Sequence, residues 1–267
     1  MSMYDAQNYI DKASRLPSME WISITGGEPM LYPSLVEDIV AYASEHGLKT
    51  ELVTNCSWAT THEKSIETLK RLREAGLDVL NISADDFHQA TIPFEKVKNG
   101  YEAGKNLGIK IVMMTTLKKN SYFKIDEVSR LLGDKLASPS NANLSAYSAI
   151  GIESGFIPVG RGALIQQGEW YLDGVPITGG CDAVLRDIGV KPSGEVIPCC
   201  SSSASLAGFI LGDLNDWDLE EMLADAWERD FFKVLKEKGP MGLLKTQPKG
   251  TYVNKCHLCS ELLKSLL

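Results

Sequence analysis

The stretch Trp21-Ile22-Ser23-Ile24-Thr25-Gly26-Gly27-Glu28-Pro29 decides how the chain folds. Its first five residues are mostly apolar or β-branched and read as a strand; two glycines, an acidic residue and a proline then close that strand. Beyond the proline, Leu35, Ile39 and Ala43 fall on one helical face that stops at Gly47. Strand, turn and helix therefore follow one another, and the order recurs. Residues 50–54, 79–83, 109–113 and 144–148 read as further strands. Between them, Ile66, Leu69 and Leu72 form a helical face ending at Gly76, and Val97, Tyr101 and Gly104 form another ending at Gly108. A repeat of roughly 30 residues is the size of a βα unit. The strands are apolar on both faces, as a parallel sheet covered by helices requires.

The chain enters this pattern on a helix. Ser2 and Asp5 have capping-box spacing, and Ala6, Ile10, Ala13 and Leu16 share one face behind them. Either the domain starts with a helix, or the strand and βα loop that normally precede such a helix are missing. After about residue 155 the texture turns rich in Gly and Pro, which places a boundary near residue 165 and two domains over 1–165 and 166–267. The second part holds a hairpin (188–190 and 196–197, turning at Pro192-Ser193-Gly194), one amphipathic helix over 219–235 and a terminal Cys-rich knot.

With 267 residues, 44% hydrophobic and 23% charged, the chain has the composition of a globular α/β protein. A net charge of −8 with no Lys/Arg block argues against nucleic acid and anionic lipid as partners. No apolar run approaches a membrane span and the first residues lack a signal peptide, so a cytoplasmic location is expected. In a reducing compartment clustered thiols act as metal ligands more often than as disulfides. Five of the six cysteines, Cys181, Cys199, Cys200, Cys256 and Cys259, lie in the last third, and Cys56 stands alone as a buried apolar residue. Cys181 and Cys199, on a hairpin, and Cys256 and Cys259, in a tight C-x-x-C turn, supply four soft ligands able to converge on iron–sulfur or zinc. Cys200 is a spectator or an alternate ligand. His88, beside Asp85 and Asp86, reads as solvated or capping, and His46, His62 and His257 as without a ligand role. Arg161 either meets a carboxylate or is an ordinary surface arginine.

Residues 21–29 resemble the second strand and Gly-Gly-Glu-Pro motif of radical S-adenosylmethionine enzymes. The likeness continues at Thr54-Asn55-Cys56, where that family usually has Thr-Asn-Gly, and at Ile82-Ser83-Ala84-Asp85. The resemblance implies a partial (β/α)6-type parallel barrel without its first strand, followed by a small Cys-rich subdomain. It implies that Gly26, Gly27, Glu28, Pro29, Asn55, Ser83, Asp85 and Thr115 or Thr116 line an S-adenosylmethionine pocket. The spacing C-x12-G-x4-C followed by C-x2-C is similar to the Twitch subdomain, the short relative of the SPASM extension, which implies one auxiliary [4Fe-4S] cluster on Cys181, Cys199, Cys256 and Cys259, with zinc as the alternative. The implied reaction is formation of a 5′-deoxyadenosyl radical that takes hydrogen from a peptide or small-molecule substrate, fed by a reductant protein such as flavodoxin or ferredoxin.

Besides Cys56, the sequence departs from that family in a more consequential respect. The C-x3-C-x2-C loop that holds the S-adenosylmethionine-cleaving cluster is missing, since no cysteine precedes Cys56. The chain as it stands is therefore expected to be inactive alone, and the missing segment is expected just upstream of Met1. The alternative is a non-catalytic iron–sulfur or zinc protein that carries electrons or partners a full enzyme.

Overall fold

The computed structural model describes residues 1–139, 149–172, 174, 176–201, 207–246 and 248–266. They form two compact units, one of Pro17–Ser154 and one of Met1–Leu16 with Gly155–Leu267.

The first unit is the alternating βα chain. Strands β1 (Trp21–Ile24), β2 (Lys49–Thr54), β3 (Val79–Ser83), β4 (Lys110–Leu117) and β5 (Ala149–Gly155) form one sheet in chain order, and the first four pair in parallel. The strand expected over 144–148 falls outside the described residues. Helices α2 (Pro33–Glu45), α3 (His62–Ala75), α5 (Phe94–Asn106) and α6 (Ile125–Leu132) connect or follow the strands, with a short α4 (Asp86–Gln89) after β3. Thr61 caps the start of α3, accepting from Lys64 N, and Gly76 ends it in the left-handed conformation that glycine adopts without steric cost.

The core lies where one face of the sheet meets these helices. Leu52, Leu80, Ile82, Ile111 and Met113 from the strands pack with Val40, Leu69, Leu72, Val97, Tyr101 and Val128 from the helices. Because side chains alternate along a strand, the residues between them stand on the other face: Ser23, Glu51, Val53, Asn81, Ser83, Val112, Met114 and Thr116. Their placement decides which groups a ligand can meet.

The second unit starts with α1 (Met3–Ser14), whose capping box is present: Ser2 Oγ accepts from Asp5 N, and Asp5 accepts from Ser2 N at 2.8 Å. Lys12 Nζ donates to the carbonyl oxygens of Leu214 and Trp217, and Tyr9 Oη donates to Asn215. Strands β6 (Gly189–Val190), β7 (Glu195–Ile197) and β8 (Gly212–Asp213) make an antiparallel sheet. Gly194 turns the β6–β7 hairpin at φ +100°, and a Cβ there would stand 2.4 Å from Asp213 Oδ1 and 2.9 Å from Tyr9 Oη. The glycine between Cys181 and Cys199 is thus a steric requirement of the turn.

Two expectations are corrected in this unit. The single helix over 219–235 is two, α7 (Leu219–Glu228) and α8 (Asp230–Lys238), because Arg229 is extended at ψ 120° and its guanidinium pairs back to Asp225 at 2.6 Å. The C-x-x-C pair is not in a turn. It lies on α9 (Lys255–Leu266), where a spacing of three residues puts Cys256 and Cys259 on one face.

Candidate functional site

At the C-terminal end of β1 the backbone is opened by glycine. Gly26 has φ +141°, a conformation that L side chains rarely adopt, and a Cβ built at Gly26 or Gly27 would meet nothing within 4 Å. The space beside these two residues is what a ligand lying against the backbone needs. Pro29 begins a short 3-10 helix (Pro29–Leu31), capped by the Glu28 side chain through Met30 N at 3.1 Å.

The Glu28 carboxylate joins two strand ends. It accepts from Thr54 Oγ1 at 2.7 Å and from Asn55 N at 2.8 Å, besides Met30 N. Three of its roughly four acceptor positions are therefore filled, and one remains for an incoming donor. Thr54 Oγ1 in turn accepts from Trp58 Nε1 at 2.9 Å and from Cys56 N at 3.1 Å. Asn55 spends its side-chain oxygen on Ser57 N, holding the loop after β2. Cys56 is fully buried at φ +59°, and burial, aided by the Glu28 charge, pushes its thiol well above the usual range. It is a packing residue, as the sequence suggested.

One strand further on, Asp85 is buried and its carboxylate is already occupied. Oδ1 accepts from Phe87 N, His88 N and His88 Nδ1, and Oδ2 from Thr116 N at 3.3 Å. Asp85 thus caps α4, orients His88 and ties β3 to β4. Ser83, by contrast, is half-buried on the face away from the helices. Thr115 is completely buried on the helix face beside Met113, its hydroxyl without a partner among the described residues, and the alternation of β4 puts Thr116 on the same side as Ser83 and Met114. The strand-end group therefore brings together Gly26–Pro29, Thr54–Asn55, Ser83 and Thr116, with Asp85 behind them and Thr115 turned away. Thr54, next to Asn55 in the same motif, belongs to the site through its hydrogen bond to Glu28.

His88 is more than a solvated loop residue. Its Nδ1 lies 2.9 Å from the Asp85 carboxylate, which, with Glu28 adding to the effect, outweighs partial burial and raises its pKa. A raised value stabilises the folded state below the pKa of a free imidazole, and this stabilisation fades as pH rises through the folded value. Nuclear magnetic resonance titration should find His88 protonated to higher pH than an exposed histidine, and Asp85→Asn should pull its midpoint down to or below the ordinary value. Equal midpoints in the two proteins would remove the assigned cause.

The second site lies in the other unit. Cys181, Cys199, Cys256 and Cys259 line one cavity with Val184, Pro198, Phe209, Phe232, Leu235 and Leu263. Cys200 is exposed and does not line it. Cys181 N donates to Leu235 O at 2.9 Å, and Lys255 Nζ donates to Gly180 O at 3.1 Å, so the residues preceding Cys181 and Cys256 are linked. Asn254 holds the start of α9 by accepting from His257 N at 2.9 Å. His257 is buried, accepts from Val253 N through Nδ1 and stacks edge-on to Trp170 at 4.9 Å. It braces the segment and does not line the cavity.

Burial pushes the Cys199 thiol up to about 11 and the Cys259 thiol up to about 12, and it raises Cys256 as well. All three are neutral thiols near pH 7, so an incoming metal centre must displace their protons. Among the described residues, no three His, Cys, Asp or Glu side chains converge closely enough to hold a single metal ion. Four soft ligands around a shared, apolar-walled space are nonetheless the donor set of an iron–sulfur cluster. Arg161 is exposed on a 3-10 helix (Gly160–Leu164) and does not line the cysteine cavity.

Two family models match parts of the chain. The family model described as the radical SAM superfamily matches residues 1–132, and the model of an iron–sulfur cluster-binding domain, SPASM, matches residues 181–260. The Fe-coproporphyrin III synthase of Methanosarcina barkeri (strain Fusaro / DSM 804) is 28% identical over 121 residues, 43% of this chain and 29% of that protein. The chain thus aligns with less than a third of that relative's length. The crystal structure of BtrN in complex with AdoMet and 2-DOIA superposes with a TM-score of 0.51 over 96% of this chain and 83% of that one, at 16% identity, which shows a shared fold. Among the described residues, no helix is long and apolar enough to cross a membrane.

Proposed function

We propose that this chain, whose residues 1–132 match the radical SAM superfamily model and whose residues 181–260 match the iron–sulfur cluster-binding SPASM model, binds S-adenosylmethionine at the strand ends of the first unit and one auxiliary [4Fe-4S] cluster in the second. It would do so as part of an enzyme that removes hydrogen from a peptide or small-molecule substrate. The carrying observation is the open backbone at Gly26 and Gly27 beside a Glu28 carboxylate with one acceptor position left.

The residues present fit the cofactor. The glycines leave room for the methionyl end, the Glu28 carboxylate faces a developing or full positive charge with an acceptor, and Ser83 and Thr116 offer hydroxyls at neighbouring strand ends. Asn55 and Asp85 act from behind, fixing the loops whose backbone meets the ligand. S-adenosylmethionine, when bound and given one electron, supplies the means of taking a hydrogen atom from a C–H bond. The chain's own contribution is to orient that cofactor and keep water from it.

Four thiols lining one apolar-walled cavity suit a cluster better than zinc. A single zinc ion, with Zn–S of about 2.3 Å, needs thiolates within about 4 Å of one another, and no such set converges among the described residues. Cys200, outside the cavity, remains a spectator in this reading. The location that suits these thiols is a reducing compartment such as the cytoplasm, and a flavodoxin- or ferredoxin-type protein is the electron donor that suits the chemistry.

A second reading rests on the lack of any cysteine before Cys56. Without three thiolates near β1, the chain's own residues cannot assemble the cluster that cleaves the cofactor. This chain should therefore bind S-adenosylmethionine in equilibrium dialysis yet release no 5′-deoxyadenosine under dithionite. Absence of binding would refute the proposed pocket, whereas cleavage would show that other ligands serve the cluster.

A further inference from the structure

A polar group stands on the face of the first unit's sheet opposite the helices, and neither the strand-end site nor the core uses it. Ser23 on β1 and Glu51 on β2 are direct partners in the parallel register, and Asn81 follows on β3. Ser23 Oγ donates to Glu51 Oε2 at 2.7 Å, and Asn81 Nδ2 donates to Glu51 Oε1 at 2.9 Å. Three adjacent strands thus hold one carboxylate in a fixed orientation. Among the described residues it has no cationic partner. Lys49, the basic residue nearest along the same strand face, has its Nζ 5.2 Å from the Trp21 ring centroid.

Asn81 carries the second observation. It is 7% exposed, and its amide oxygen is shut off from solvent with no hydrogen-bond donor among the described residues. Turning the amide over would not help, since it would set that oxygen against the Glu51 carboxylate. Native proteins seldom leave a buried acceptor unpaired, and where they do a ligand or water commonly supplies the donor. Glu51 keeps acceptor positions unused, Asn81 keeps its carbonyl oxygen, and the Ser23 proton is already spent. The group therefore has one negative charge and an excess of acceptors. Its complement is a cation with several N–H donors.

We propose that Glu51, Asn81 and Ser23 form a subsite for a primary ammonium group of the substrate. This deepens the reading of the chain as a C–H-activating enzyme by naming the chemical class of what it acts on, and it rests on that reading. An ammonium fits better than a guanidinium because the acceptors are spread over two side chains on adjacent strands, where a planar fork would engage the carboxylate alone. Restricted to amines, such a subsite would reject a hydroxyl analogue by leaving the carboxylate without its counter-charge.

The test uses the whole chain labelled with 15N and follows the Asn81 side-chain amide, assigned with Asn81→Asp, during titration with methylammonium chloride. The expected result is a saturable shift with methylammonium and none with methanol or tetramethylammonium, which lack the charge or the N–H donors. Glu51→Gln should weaken the interaction about tenfold while S-adenosylmethionine binding stays within about twofold, so failure of the subsite and failure of the cofactor pocket read out separately. If Glu51→Gln does not fold, the comparison of the three probes on the unaltered chain still decides. Competition by acetyl-Gly-Lys-Gly-amide or by glucosamine then tells a peptide lysine from a small amine. An unmoved Asn81 signal, an equal shift with tetramethylammonium, or displacement by neither competitor would overturn the proposal.

Discussion

Serine in place of any one of Cys181, Cys199, Cys256 and Cys259 is expected to abolish stable cluster incorporation in the second unit, whereas Cys200→Ser and Cys56→Ser leave it intact. The asymmetry follows from the cavity. Four thiols line it, and Cys200 is exposed outside it. A serine hydroxyl is a hard, weakly acidic donor and replaces thiolate poorly on iron. Removing one ligand also leaves an apolar pocket open to water. Iron and sulfide analysis after anaerobic reconstitution reads the result, with visible absorbance as a second measure. Loss upon Cys200→Ser, with Cys181→Ser silent, would exchange the roles of these two residues. Because burial raises the thiol pKa of Cys199, Cys256 and Cys259, cluster loading should release protons and proceed faster as pH rises from about 7 to 9.

Gly26→Val should cost about a hundredfold in S-adenosylmethionine affinity, measured by calorimetry or dialysis. Two effects add. Valine resists φ +141°, so the strand end must rearrange at a cost of order 1–3 kcal/mol. Its side chain also enters the space that is empty next to the backbone. Rearrangement would further misplace Glu28, whose contacts with Thr54 and Asn55 join β1 to β2. Gly47→Ala is a fair control, since Gly47 also has a positive φ and open surroundings but ends α2 far along the chain from the motif. Equal affinity in Gly26→Val and the unaltered chain would move the cofactor away from this strand end.

Much of the fold could be read because its signals are local. Strand and helix periodicity between residues 21 and 117 is a property of each segment, and glycines at 76 and 108 stop helices for steric reasons that need no knowledge of partners. The Cys-x12-Gly-x4-Cys spacing was legible for the same reason, since Gly194 must turn a hairpin whatever surrounds it. What escaped depends on register or on distant partners. Thr115 and Thr116 look equivalent in the sequence, yet one residue's difference puts them on opposite faces of β4, one in the core and one at the strand-end site. The break between α7 and α8 falls at Arg229, without Gly or Pro to announce it. Strand β8 has two residues and no periodicity. Helix α1 was recognisable from its cap and apolar face, but nothing in those residues says that Lys12 reaches the carbonyls of Leu214 and Trp217. Asp85 illustrates a subtler limit. Its place at the end of a strand suggested ligand contact, and only the hydrogen bonds reveal that its carboxylate is spent on α4, His88 and β4.

The most direct measurement is the metal, sulfide and cofactor content of the whole chain after anaerobic reconstitution with iron and sulfide in the presence of S-adenosylmethionine. The expected result is about four iron and four sulfide per chain, held by Cys181, Cys199, Cys256 and Cys259, together with one bound S-adenosylmethionine that Gly26→Val removes without loss of iron. A colourless protein holding one zinc and no sulfide, with no retained S-adenosylmethionine, would contradict it.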